Sequence, residues 1–173
     1  MHFVTCTPEQ HAGQILDIFN EAIIHSTALY DYQPRTLAFM TDWFQTKATH
    51  AFPVIGAVDD HGTLLGFASY GTFRVWAAYH YTVEHSVYVH KDHRGKGIGR
   101  QLLRQLIAAA RSQQVHVMVG GIDIDNHGSI RLHEQLGFRH AGTIREAAFK
   151  FGRWLDLGFY QLTLDTPTHP VEA

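Results

Sequence analysis

The six residues Arg94-Gly95-Lys96-Gly97-Ile98-Gly99 constrain this chain more than any other stretch. Three alternating glycines let the backbone turn tightly and bare successive N–H groups. The run follows residues 81–89, which read as a strand. It leads into a segment with Ile98, Leu102, Leu103, Leu106, Ile107 and Ala110 on one helical face. A glycine loop between a strand and a helix N-terminus makes a concave anion site, and Arg94, Lys96 and Arg100 add positive charge. Its physical target is a phosphate or pyrophosphate. Two commoner phosphate loops are excluded. No Lys followed by Ser/Thr closes a P-loop, and Leu102 stands where a dinucleotide fingerprint needs its third glycine.

The rest of the chain reads as a mixed α/β fold in one domain. Thr7 caps a first helix, with Pro8 in its first turn and Gln10 at the capping-box position. Ile15, Ile18, Phe19, Ala22 and Ile23 recur there at helical spacing. A loop at 26–35 precedes a second amphipathic helix over 36–47. Strands are expected at 53–58 and 63–70 around the turn Asp59-Asp60-His61-Gly62. Further strands are expected at 115–122, 139–149 and 155–164, with a short helix over 126–136 that Gly137 ends. The order is α-α-β-β-β-α-β-α-β-β, a mixed central sheet flanked by helices. The domain spans 1–165, and residues 166–173, with Pro167 and Pro170, are expected to fray.

Composition narrows the function classes. A chain of 173 residues suits one sizeable core. A net charge of -2 gives no basic field for nucleic acid. No apolar stretch nears the roughly 20 residues that span a bilayer, and the opening residues do not read as a secretory signal. Cys6 alone cannot form an intrachain disulfide. A cytoplasmic protein without nucleic-acid or membrane partners is expected. The 14 histidines offer only His90-x-x-His93 near Asp92, and Glu84-His85, as metal spacings. On a strand or loop these do not converge as His-Glu-x-x-His does on a helix, so no metal is expected.

Two motifs in order carry a family resemblance. Val87-Tyr88-Val89 followed by Arg94-Gly95-Lys96-Gly97-Ile98-Gly99 resembles the acetyl-CoA pyrophosphate motif of the GNAT acetyltransferases. Ile122, Asn126 and the run Ser129-Ile130-Arg131-Leu132-His133-Glu134-Gln135-Leu136-Gly137-Phe138 resemble that fold's second signature. More specifically, 82–89 and 149–159 resemble the phosphinothricin/methionine sulfoximine N-acetyltransferases, a similarity running from about residue 3 to residue 164. The resemblance implies acetyl-CoA as co-substrate, a homodimer, and acetylation of the α-amino group of a small glutamate-like acceptor. It implies cofactor contacts at Val87, Tyr88, Val89, the 94–99 loop, Asn126 and Ser129.

Acetyl transfer to an amine sets the remaining roles. A protonated amine cannot attack a thioester, so a base is needed. Glu84, at the head of the 81–89 strand, matches the subfamily's proposed base; otherwise it is a solvated strand-end carboxylate. Main-chain N–H groups at Val87 to Val89 can stabilise the oxyanion, and the family's bulge in this strand is expected there. His133 stands where many relatives place a tyrosine. It is either the acid that protonates the leaving thiolate or a histidine packed on a helix face. Arg74, with Val75 and Trp76, can grip an acceptor carboxylate and enclose its side chain, or remain a solvated loop. Tyr30 and Lys150 are further acceptor-pocket candidates. Two other readings stay open: an enzyme acetylating protein N-termini or lysines, and a non-catalytic CoA-binding sensor.

Overall fold

The computed structural model describes residues 1–172. Strands β1 (His2–Thr5), β2 (Val54–Val58), β3 (Leu64–Thr72), β4 (Thr82–Val89), β5 (Val117–Asp123), β6 (Arg139–Lys150) and β7 (Arg153–Thr163) alternate with helices α1 (Pro8–His25), α2 (Leu37–Thr49), α3 (Ile98–Ser112) and α4 (His127–Glu134). Among the described residues the strands hydrogen-bond in the order β1-β2-β3-β4-β5-β7-β6. The expected mixed α/β architecture is therefore present. The chain divides into two compact units, Met1–Tyr70 with Ser86–Leu106, and Gly71–His85 with the residues from Ile107 on.

The first unit is built on antiparallel pairs. β1 pairs with β2 from His2↔Val58 to Thr5↔Ile55, and β2 with β3 from Val54↔Ser69. α1 buries the face predicted from spacing: Ile15, Ile18, Phe19, Ala22 and Ile23. Of these, Ile15, Ile18 and Phe19 meet Met40 and Phe44 of α2 and Val54, Val58, Leu64 and Phe67 in one core. Phe19 sits edge-on to Trp43, Phe67 and Tyr88, with centroids 5.7, 5.1 and 5.3 Å away. Burying one such ring contributes about 1.5–3 kcal/mol. Thr7 caps α1 by accepting from the Gln10 N–H at 3.4 Å. The return contact of a capping box is made by a different residue. The Thr7 N–H donates to His11 Nδ1 at 3.0 Å, and Gln10 is not used. Strand β1 is absent from the expected element order.

The second unit centres on β5. It pairs antiparallel with β7 from Val117↔Thr163 to Asp123↔Leu157, and parallel with β4 over Thr82↔Val117, Val83↔Met118 and Glu84↔Val119. β6 and β7 close through Phe151 (φ 53) and Gly152 (φ 73), a two-residue turn of the hairpin kind. Strand β7 therefore starts at Arg153 and not at 155, because Trp154 pairs with Phe149 and Lys150 with Arg153. Arg153 also reaches across to Asp125 at 3.0 Å and Asp123 at 3.4 Å, which ties the hairpin tip to the end of β5. Helix α4 starts on the Asn126 cap and ends at Glu134, two residues short of the sequence expectation, as a turn leads to Gly137 at φ 91. The C-terminal residues expected to fray are tied down. Thr166 Oγ1 donates to Val115 O at 2.5 Å, and the Val171 N–H donates to Tyr81 Oη at 3.1 Å. Ala173 lies outside the described residues. Among those described, no helix is long and apolar enough to cross a membrane.

Candidate active site

Glu84 is the third residue of β4, and its exposed carboxylate lies over β5: a Cβ built on Gly121 would come 3.4 Å from Glu84 Oε1. Strand alternation sends His85 to the opposite, buried face. Although Glu84 keeps solvent contact, the protein around its carboxyl raises its pKa above the usual range, against the opposing pull of the Arg74 guanidinium. A carboxyl lifted in this way is, once ionised, a stronger proton acceptor than a free one. Arg74 itself lies on the exposed loop after β3. Its Nη1 donates to Phe73 O at 2.8 Å, and its guanidinium stacks 4.3 Å from the Phe73 ring. Val75 and Trp76 beside it are 88% and 66% exposed, and Trp76 leans towards Tyr79 at 6.3 Å. Arg74 is thus within electrostatic reach of Glu84, and the two side chains after it are turned to solvent.

His133 is only 3% exposed. Its Nδ1 lies 2.7 Å from Ser129 O and its Nε2 lies 2.9 Å from His85 Nε2. His85 in turn has Nδ1 2.8 Å from Val119 O. Burial pushes the pKa of both rings down, and for His85 the neighbouring His133 adds to the effect. Both ring nitrogens of His133 thus face protein atoms. Asn126 Oδ1 accepts the Ser129 N–H at 3.1 Å, so that carbonyl caps α4. Lys150, at the end of β6, is 4% exposed with Nζ 4.9 Å from the Phe151 ring centre.

In the first unit the glycine run has the conformation its composition requires. Gly95 and Gly97 both adopt φ +77, where an L side chain is disfavoured by about 1–2 kcal/mol. The Gly97 carbonyl accepts the Gln101 N–H at 3.2 Å, which places Gly97 at the helix cap. The next N–H groups, from Ile98 on, then have no carbonyl one turn back and point out of the helix end. Two of the basic residues serve the loop itself. Arg94 donates to Val89 O at 3.2 Å and pairs with Glu21 of α1. Lys96 Nζ donates to Asp92 O at 3.0 Å. Val87, Tyr88 and Val89 are half-buried, with Tyr88 packed on Phe19 and Phe67. Tyr30 sits half-buried in the loop between α1 and α2. Among the described residues no group of His, Cys, Asp and Glu side chains could hold a metal ion.

Comparison with known proteins settles the family. The acetyltransferase (GNAT) family matches over residues 14–138, a span that contains both Glu84 and the glycine loop. The chain belongs to the GNAT acetyltransferases. As a member of that family it is an acyltransferase whose co-substrate is acetyl-CoA. The L-methionine sulfoximine/L-methionine sulfone acetyltransferase of Pseudomonas aeruginosa is 49% identical over 151 residues, 87% of this chain and 88% of its own. The phosphinothricin N-acetyltransferase of Streptomyces viridochromogenes is 33% identical over 90% of this chain and 84% of its own. The acetyltransferase yncA of Salmonella typhimurium, solved with its cofactor acetyl-CoA, superposes with a TM-score of 0.94 at 39% identity, covering 100% of this chain and 99% of that one. The subfamily resemblance seen at 82–89 and 149–159 is thus matched along nearly the whole chain. Sequence reasoning missed His85, which it weighed only as a metal spacing. Its partner lies 48 residues away, and no local pattern signals that pairing.

Proposed function

We propose that this acetyltransferase moves the acetyl group of acetyl-CoA to the α-amino group of a small amino-acid-like acceptor of the methionine sulfoximine, methionine sulfone or phosphinothricin type. The observation that carries this reading is the placing of the Glu84 carboxylate over β5 with the Arg74 guanidinium near enough to pull on its pKa. An α-amino acid presents its nucleophile beside its carboxylate, so it needs a proton acceptor and a cation close together. Arg74 binds the carboxylate, and Val75, Trp76 and Lys150 are the further acceptor-binding candidates of the second unit. Glu84 takes the ammonium proton. The freed nitrogen forms a bond to the thioester carbon, main-chain N–H groups at Val87 to Val89 hold the oxyanion, and the C–S bond breaks to release CoA. The thiolate takes its proton from solvent.

The loop at 94–99 holds the CoA pyrophosphate through main-chain N–H groups. Replacing Gly97 with valine is expected to weaken CoA binding, since the branched side chain both resists φ +77 and fills the ligand's approach. No protein atom lies within 4 Å of a Cβ at Gly97, so the clash falls on the ligand. Calorimetry with CoA checks this, and an unchanged affinity would remove the loop from the cofactor site. The same reading makes residues 1–165 the acetyltransferase domain and carries a homodimer. Exposed Phe149, Phe151 and Trp154 on the β6–β7 hairpin support a partner there. A cytoplasmic setting suits a chain whose single cysteine is a buried thiol with its pKa pushed up to about 12.

A thiol-release screen tests the acceptor. Acetyl-CoA is offered with free amino-acid analogues, with peptides bearing a free N-terminus or lysine, and with no acceptor. Release that depends on the free analogues supports the reading. Release confined to peptides favours a protein acetyltransferase, and none at all favours a CoA-binding sensor.

A further inference from the structure

Two elements of the first unit converge on the Arg94 side chain. Arg94 Nε donates to Val89 O, at the end of β4, at 3.2 Å. Arg94 Nη2 pairs with Glu21 Oε2 of α1. Glu21 is the more enclosed partner, its side chain 21% exposed against 49% for Arg94. A second contact ties the same two elements: the Phe19 ring of α1 meets the Tyr88 ring at 5.3 Å. Strand β3 holds the same end of β4. The His90 N–H donates to Leu65 O at 2.9 Å, and a Cβ on Gly66 would come 2.7 Å from Tyr88 O and 3.1 Å from Val89 Cα. The chain beyond closes on itself, with the His93 N–H on His90 O at 2.9 Å and Lys96 Nζ on Asp92 O at 3.0 Å.

A guanidinium is a rigid planar fork of N–H donors. Bonded through Nε to one element and through Nη2 to another, it cannot turn without breaking one of the two bonds. Both bonds therefore hold the chain where it leaves β4 and enters Gly95 at φ +77. They also decide what the Arg94 charge can do for an anion. It already faces a carboxylate, and a phosphate brought up to Arg94 would be brought up to Glu21 as well. Like charges at such range repel. Glu21 suits a strut and opposes a phosphate ligand.

We propose that Glu21 is a positioning residue of the cofactor loop: with the Val89 carbonyl it fixes the Arg94 guanidinium as a strut between α1 and the end of β4, so that Arg94 shapes the loop and the main-chain N–H groups hold the cofactor. The proposal rests on the reading above that the loop at 94–99 holds the CoA pyrophosphate. Without the carboxylate the loop entrance is free to move, and binding must then order it at a cost in affinity.

Calorimetry with CoA tests this on Glu21→Ala, Glu21→Gln, Arg94→Ala and the Glu21→Ala/Arg94→Ala double variant, with Gly97→Val as the reference. Alanine suits a helix, so the fold of α1 is kept. Glu21→Ala is expected to weaken CoA binding about three- to tenfold, a charge-assisted bond discounted for the half-exposed Arg94. Its kcat at saturating acetyl-CoA should change little. Glu21→Gln keeps an oxygen that accepts from Arg94 and should recover most of the loss. The double variant should bind no more weakly than Arg94→Ala, because the two residues act through one contact. If Arg94 were itself the phosphate ligand, removing the neighbouring carboxylate would have the opposite sign. An affinity unchanged or higher in Glu21→Ala, or higher than wild type in Glu21→Gln, overturns the strut, as do additive losses in the double variant. Gly97→Val separates the two readings. Wild-type affinity there overturns the cofactor reading and the strut's effect on CoA with it. A loss in Gly97→Val with none in Glu21→Ala overturns the strut alone.

Discussion

Replacing Glu84 with glutamine is expected to lower kcat about 10²–10⁴-fold at pH 7, the usual contribution of a general base. The variant should bind acetyl-CoA normally, because the glycine loop at 94–99 is untouched. The amide keeps the shape of the carboxylate and removes its ability to take a proton. The sign of the pH dependence follows from the raised Glu84 pKa. The ionised carboxylate is the working form, so wild-type kcat/KM falls as pH drops through a pKa above that of a free glutamate, about 4.3. The acid limb should thus lie above the ordinary carboxylate range and vanish in the glutamine variant. The deficit should shrink at high pH, where the acceptor amine is already neutral. Steady-state thiol release across pH checks both points, and a wild-type kcat at pH 7 would remove Glu84 from the mechanism.

The second large effect is expected at Arg74. Changing it to alanine should raise KM for an amino-acid acceptor about 10–100-fold, equivalent to about 1.5–3 kcal/mol for a lost charge-assisted hydrogen bond. KM for acetyl-CoA should barely move. The preference for the free acid over its methyl ester should narrow, since the ester has no anion to pair with a guanidinium. The pull of Arg74 on Glu84 adds a consequence that carboxylate binding alone does not. Arg74 pulls the Glu84 pKa down against the protein that raises it. Removing the cation lets that pKa rise further, so the acid limb of kcat/KM should move to higher pH. An unchanged acid-to-ester preference together with an unmoved acid limb would make Arg74 an ordinary loop residue, with the carboxylate bound elsewhere.

Local sequence signals carried most of the fold. The helical spacing of Ile15, Ile18, Phe19, Ala22 and Ile23 named the buried face of α1, and the glycines at 95 and 97 announced the left-handed turns that lead into α3. Features set by distant residues were not legible. Strand β1 has four residues and no alternation of its own, and only its pairing with β2 makes it a strand. The pairing of Arg94 with Glu21, 73 residues away, has no local signal. The meeting of His85 and His133, 48 residues apart, likewise has no local signal. The tail at 166–172 looked frayed because its prolines are local, whereas the partners of Thr166 and Val171 lie 51 and 90 residues away.

The most direct test follows the acetyl group itself. The enzyme is incubated with acetyl-CoA carrying a 13C-labelled carbonyl and with L-methionine sulfoximine, and the product is read by NMR. The account predicts a labelled amide on the α-nitrogen, formed in step with free CoA thiol and slowed in the Glu84→Gln variant. Label found only on peptide N-termini or lysines, or left on CoA with every amino-acid acceptor, would contradict it.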